Sequence, residues 1–308
     1  MGRQHRERGL PGRATAPDRH DDRGARAAGG GAPDRGSRDQ EPRERGPRDR
    51  AGHERGGHER AGRGGRSRGA SGAEGYWLYG LHPVDAALDN PHRRLHRLLL
   101  TEEAQATLNE RRRGKTLPLP PERVDRRTLE TMLGREAVHQ GMALLADPLD
   151  PPPLEQLLEQ RPGPVLLLDQ VTDPRNVGSI LRSAAAFGAA AVVVQDRHAP
   201  EEAGVLAKAA SGALEMVPLV RAVNLSRALA ALKAAGLWAV GLDAGGGRLD
   251  GGGFRGRRVA LVLGAEGEGL RRLTRETCDE IAGLSMPGGM ESLNVSNAAA
   301  VALYELVR

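Results

Sequence analysis

Three short polar segments of this 308-residue chain carry the side chains that could do chemistry. The first, DPRNVGSILRSAAAFG (173–188), follows an apolar run. Asp173-Pro174 makes a turn, Asn176 can cap a helix, Gly178 allows close backbone approach, and Arg182 lies further along the helix. The second, LVLGAEGEGL (261–270), sets Gly264, Gly267 and Gly269 in a loop whose amides can approach a ligand, with Glu266 inside it. This is not the GxGxxG of a dinucleotide site, and the chain has no GxxxxGK[ST] phosphate loop. The third, LSMPGGMESLNVSNAAAVALYELV (284–307), leads from Leu284 and Met286 into Ser292, Leu293, Asn294, Ser296 and Asn297, then an apolar helix. Four polar side chains in six residues exceed what a helix cap needs. The helix N-terminus also offers unpaired amides to a polar ligand. Taken singly, each segment has a plainer reading: a capped core helix, a common strand-to-helix loop, a capped helix at a subunit interface.

The elements around these segments decide where they point. From 154 onward, continuously apolar strands are expected at 164–171, 190–196, 216–220, 237–243, 258–264 and 281–286. Helices fall at 177–187, 201–210, 224–235, 269–278 and 294–307. Uniformly apolar strands separated by helices predict an α/β parallel sheet covered on both faces. Ligands of such a sheet sit beyond the C-terminal ends of its strands, where all three segments fall. Residues 76–146 read as a separate small α/β unit: helix 83–89, strand 95–101, helix 102–112, an irregular segment or edge strand at 117–124, helix 125–133 capped by Asp125, and strand 138–146. DPLDPPP (147–153) and a lead-in helix to 160 join it to a domain spanning 161–308.

Composition separates a tail from this body. Residues 1–75 hold 18 Arg and 12 acids, no Lys, and Leu10 as their one large aliphatic residue besides Met1. A segment this poor in apolar side chains cannot offset the entropy of ordering its backbone, so a disordered Arg/Gly/Asp-rich tail is expected there. The tail carries +6 and the remaining residues −1, so the formal +5 belongs to the tail. No apolar run is long enough to span a bilayer, and the single Cys278 excludes an intramolecular disulfide. A soluble, cytoplasmic protein without a metal site is the expectation.

In this order and spacing, the three segments resemble the signature motifs of the SpoU (TrmH) family of RNA ribose 2′-O-methyltransferases. The segments WLYGLHPVDAAL and VHQGMALLA are similar to the family's small substrate-binding domain, which resembles ribosomal protein L30. This two-module layout is that of family members acting on a guanosine of bacterial 23S rRNA. The resemblance implies a SPOUT-type domain with a trefoil knot, S-adenosyl-L-methionine as cofactor, and a homodimer whose active site draws on both subunits. It assigns cofactor contacts to Gly264, Gly267, Gly269, Leu284, Met286 and Leu293. Functional polar roles go to Asn176, Arg182, Glu266, Ser292 and Asn294. Arg182 would act as base, or as a cation stabilising the developing alkoxide. The third motif departs from the family's usual Ile-Pro-Met and reads Leu284-Ser285-Met286. Two other readings stay open at this stage: a tRNA methyltransferase of the same family, and a non-catalytic RNA-binding assembly factor.

An RNA acceptor calls for local basic patches, because the body is near neutral. The candidates are Arg93-Arg94-Arg97, Arg111-Arg112-Arg113 with Lys115, Arg126-Arg127, and Arg255-Arg257-Arg258. Three of the four lie in the small unit. RNA docking is therefore expected there, through Arg111, Arg112, Arg113, Arg126 and Arg127.

Overall fold

The computed structural model describes residues 75–202 and 204–308. The tail expected over 1–75 lies outside these residues, except for Gly75. The small unit runs β1 (Tyr76–Tyr79), α1 (Leu81–Asp89), β2 (Leu95–Leu100), α2 (Glu102–Arg112), β3 (Pro121–Arg123), α3 (Arg126–Leu133) and β4 (Met142–Ala146). Its sheet has the order β1-β4-β2-β3, with β4 antiparallel to both neighbours and β3 parallel to β2. Local chemistry sets the helix ends. The Thr101 side chain accepts from the Ala104 amide and opens α2, and Asp125 accepts from Thr128 and opens α3. Leu78, Leu98, Leu100, Leu108 and Leu144 fill one face of the sheet. Leu99, Leu129 and Ala143 fill the other.

Tyr76–Tyr79, to which the sequence reading assigns no element, is a strand paired along its length with β4. One expectation for this unit needs correction. The strand expected from 138 starts at Met142, because Gln140 (φ 53°) and Gly141 (φ 76°) occupy the left-handed region and break the extended path.

The larger unit contains α4 (Leu154–Gln160), β5 (Val165–Leu168), α5 (Pro174–Ala186), β6 (Ala191–Gln195), α6 (Gly204–Ala210), β7 (Leu219–Ala222), α7 (Leu225–Ala234), β8 (Trp238–Arg248), β9 (Val259–Leu263), α8 (Arg272–Thr277), β10 (Glu280–Gly283) and α9 (Val295–Val307). The six strands lie in the order β10-β8-β9-β5-β6-β7, and every neighbouring pair is parallel. β5 and β9 are central and wholly buried, as their uninterrupted apolar runs require. From β5 the chain moves toward β6 and β7; from β9 it moves to β10 at the opposite edge. The loops after β5 and β9 therefore diverge from adjacent strands and leave a crevice between them.

Some boundaries shift from those expected. The strand placed at 216–220 begins at Leu219, since residues 213–215 form a 3-10 turn and Met216 is exposed. The helix placed at 269–278 begins at Arg272, because Gly269 takes φ 68°. The strand placed at 281–286 stops at Gly283.

The two units pack directly. Arg93, expected on an RNA-facing patch, is instead buried at their junction. It binds both carboxylate oxygens of Glu215, the Tyr76 hydroxyl and the Asp147 carbonyl. Gly204 of α6 lies against the Tyr79 ring; a Cβ there would fall 2.0 Å from the ring's Cε1. Lys208 of the same helix reaches the Gln140 side-chain oxygen at 2.5 Å. Among the described residues, no helix is long and apolar enough to cross a membrane.

Candidate active site

The three polar segments meet at the crevice. Glu266 Oε1 accepts from Asn294 Nδ2 at 2.6 Å, from Asn176 Nδ2 at 3.1 Å and from the Val295 amide at 3.4 Å. Asn294 Nδ2 also donates to Asn176 Oδ1 at 3.0 Å. The Asn294 side-chain oxygen caps α9 and accepts from the Ser296 amide and hydroxyl at 3.0 and 2.6 Å. Three residues far apart in the chain are thus joined by a charge-assisted network, which is stronger than neutral hydrogen bonds. Each comes from a helix start or a strand-to-helix loop, so short local segments set their positions. Asp173 caps α5 through the Arg175 amide and presents Asn176 in the first turn.

The glycine loop is held as a tight turn. Ala265 and Gly269 exchange backbone hydrogen bonds at 3.2 and 3.0 Å. A side chain on Gly264 would collide with the Gly269 carbonyl carbon at 2.2 Å. Together with the segments after β8 and β10, this loop borders a cleft of about 820 Å³. All six residues expected at a cofactor line it: Gly264, Gly267, Gly269, Leu284, Met286 and Leu293. So do Glu266, Ser292 and Asn294. Asp243 and Ala244, just past the stretch of β8 that pairs with β9, were missed. Both follow the strand-end rule that located the other segments. Asp243, Glu266, Glu268 and Glu291 make the lining acidic, while Leu242, Leu263, Leu284 and Leu293 make it apolar. That combination suits a ligand with a flat apolar ring and positive charge, as S-adenosylmethionine has in its adenine, sulfonium and ammonium groups. Glycine backbone can approach such a ring closely.

Arg182 is not brought to this network within the chain. Six residues past Asn176, it lies about 240° further around α5. It is exposed and makes no ion pair among the described residues. Nearby helix surface is apolar: Val301, Tyr304 and Val307 of α9 are exposed, and Tyr304 meets Phe187 edge-on at 6.3 Å.

The basic patches divide. Arg112 is a correction: its side chain is 4% exposed and held by Asp85 and Asp89 at 3.0 and 2.8 Å, so it cannot reach a phosphate. Arg258 is likewise taken up by the carbonyls of Leu158 and Arg161. Arg111 pairs with Asp85, and Arg126 with Glu130, both at the surface. Arg113 and Arg127 are exposed and form no ion pair among the described residues. No group of three or more His, Cys, Asp or Glu is placed to hold a metal among those residues.

Comparison with known proteins identifies the family of the chain. Residues 163–304 match the SpoU rRNA Methylase family, and residues 77–152 match the RNA 2'-O ribose methyltransferase substrate binding family. The chain is 41% identical over 249 residues to the 23S rRNA (guanosine-2'-O-)-methyltransferase RlmB of Pasteurella multocida, covering 75% of this chain and 97% of that protein. It is 43% identical over 245 residues to RlmB of Pseudomonas aeruginosa, covering 75% and 95%. Among solved structures it is similar to the SpoU methyltransferase AviRb of Streptomyces viridochromogenes in complex with AdoMet. That match has TM-score 0.63 and 26% identity, and covers 77% of this chain and 91% of the other. An AdoMet-bound rRNA methyltransferase of Sinorhizobium meliloti shares the fold at TM-score 0.61 and 23% identity, covering 76% and 87%. Two family models in tandem, and relatives aligned over nearly their whole length, lead to one assignment: the chain belongs to the SpoU rRNA methylase family.

Proposed function

We propose that this protein methylates a ribose 2′-hydroxyl in RNA, on a guanosine of 23S rRNA, with S-adenosylmethionine as methyl donor. The observation that carries the reading is the junction of Glu266 with Asn176 and Asn294 at the mouth of an acidic, leucine-lined cleft. The names borne by the 41% and 43% identical relatives supply the nucleotide and the RNA. Bound S-adenosylmethionine supplies an electrophilic methyl on sulfur.

The chain's own residues do the positioning. Gly264, Gly267, Gly269, Leu284, Met286 and Leu293 hold the donor, largely through backbone groups. Asn176 and Asn294, steadied by Glu266, orient the acceptor ribose, and Ser292 lies beside them on the cleft wall. Fixing two reactants in line supplies much of the acceleration of such a transfer. Arg182 stabilises the developing alkoxide or holds a neighbouring phosphate. A guanidinium stays charged in proteins, which favours this role over that of a base. Because Arg182 faces away from its own cleft, it serves the cleft of a second subunit in a homodimer, along the apolar surface of α9. The trefoil knot belongs to the same reading. Arg113 and Arg127 of the small unit contact phosphates, with Arg111 and Arg126 able to exchange their surface carboxylates for them. An rRNA substrate places the enzyme in the cytoplasm.

The reading is tested by transfer of radiolabelled methyl to undermodified large-subunit rRNA, followed by mapping of the modified ribose. Label on a 23S guanosine supports it. Label on tRNA alone assigns the tRNA activity instead, and binding without label on either assigns a non-catalytic RNA-binding role.

A further inference from the structure

Asp169 ends the central strand region, one residue past β5, and its side chain is fully buried. No catalytic role touches it. Its backbone N–H donates to the Leu263 carbonyl at 2.8 Å, the residue before the glycine loop. Its carboxylate accepts from the Arg271 amide at 3.1 Å and from Arg271 Nε at 2.6 Å, just after that loop. A second guanidinium nitrogen lies 2.5 Å from the same carboxylate. One residue thus grips both ends of 264–270. The sheet does not need it: Val165–Leu168 already pair in register with Ala260–Leu263. Burying a carboxylate is costly, and a well-packed apolar residue serves stability as well or better. The geometry gives the charge a different use.

We infer that Asp169 is a positioning residue that clasps the cofactor loop 264–270, with Arg271 as the catch, and thereby sets how tightly the methyl donor is held. This rests on the methyltransferase reading. The acceptor side has its own anchor, since Glu266 at the loop's tip is held separately by Asn176 and Asn294. Arg275, in the helix just after the loop, pins that helix to Asp243 on the far wall of the cleft. A loop ordered in advance binds more tightly because less freedom is lost on binding.

The test compares full-length wild type with Arg271→Ala, Arg271→Lys and the uncharged pair Asp169→Asn/Arg271→Gln. KM values are measured for S-adenosylmethionine and for rRNA, S-adenosylmethionine binding by calorimetry, and folding by thermal melting. The expected result for Arg271→Ala is a rise of about tenfold in KM and Kd for S-adenosylmethionine, with KM for rRNA little changed. Arg271→Lys should recover part of the loss. If Arg271→Ala fails to fold, the uncharged pair is read by the same criteria. Equal rises in both KM values, or a fall in melting temperature with donor affinity intact, overturn the clasp. Wild type that binds no S-adenosylmethionine overturns the functional reading and the clasp with it. Wild type that binds, with all variants binding equally well, overturns the clasp alone.

Discussion

Arg93 and Glu215 stand 122 residues apart and form a two-point ion pair at the junction of the two units, with side-chain exposures of 0% and 6%. Removing Glu215 leaves the buried Arg93 guanidinium with only the neutral Tyr76 hydroxyl and Asp147 carbonyl as partners. Glu215→Ala is therefore expected to lower unfolding stability by about 3 kcal/mol. Replacing both, as Arg93→Leu/Glu215→Leu, should recover much of that loss. Urea denaturation midpoints check both values.

Glu266 is the common acceptor of Asn176, Asn294 and the Val295 amide. Glu266→Ala frees both amides to turn away from the ribose. A displacement on the order of 1 Å at a reacting group costs about 10²-fold in rate, and kcat should fall by that much. Steady-state methyl transfer measures it.

Arg182 has no structural work among the described residues, so Arg182→Ala should change stability by no more than about 0.5 kcal/mol. Methyl transfer should nevertheless collapse. If Arg182 acts across a dimer, mixing the Arg182→Ala and Asn294→Ala proteins restores about a quarter of wild-type activity, because half the dimers are mixed and each holds one intact site. No restoration means that the arginine serves its own cleft.

Arg113 and Arg127 are free at the surface, whereas Arg112 is locked between Asp85 and Asp89. Arg113→Ala and Arg127→Ala should each reduce the slope of log affinity for rRNA against log salt by about 1, without loss of stability. Arg112→Ala should instead destabilise the fold. Filter binding across a salt series, paired with thermal melts, separates the two behaviours.

Burial pushes the Cys278 thiol up to about 11 from its usual 9.0. The thiolate is the reactive form, so at neutral pH labelling of the native protein should be about a hundredfold slower than labelling of the unfolded chain. The native thiol keeps its proton more tightly than the unfolded one. Its contribution to stability is therefore full below about pH 9 and is lost as pH rises through about 11. Thiol-reagent kinetics, with and without denaturant, check the first point.

The parallel sheet was legible because β5, β6 and β9 are uninterrupted apolar runs, and the cleft was legible because Asn176, Glu266 and Asn294 each follow such a run or open a helix. What escaped was long-range pairing. Hydrophobic period says nothing about Arg93 meeting Glu215, or Arg112 meeting Asp85 and Asp89, so buried arginines read as surface patches. Left-handed Gln140 was hidden too, although Gly141 beside it is the kind of residue that marks a break in a strand. Asp243 escaped although it closes the expected strand 237–243, because a lone carboxylate there carries none of the clustered polar side chains that marked the other three segments.

Gly204 has one more consequence. It touches the Tyr79 ring at the β1 edge of the small sheet, and the opposite edge, β3, lies three strand spacings away, about 14 Å. Any side chain at 204 is a wedge at the fulcrum, more than an ångström too thick for its gap. The closeness of the small sheet to α6 is thus set by a missing methyl group.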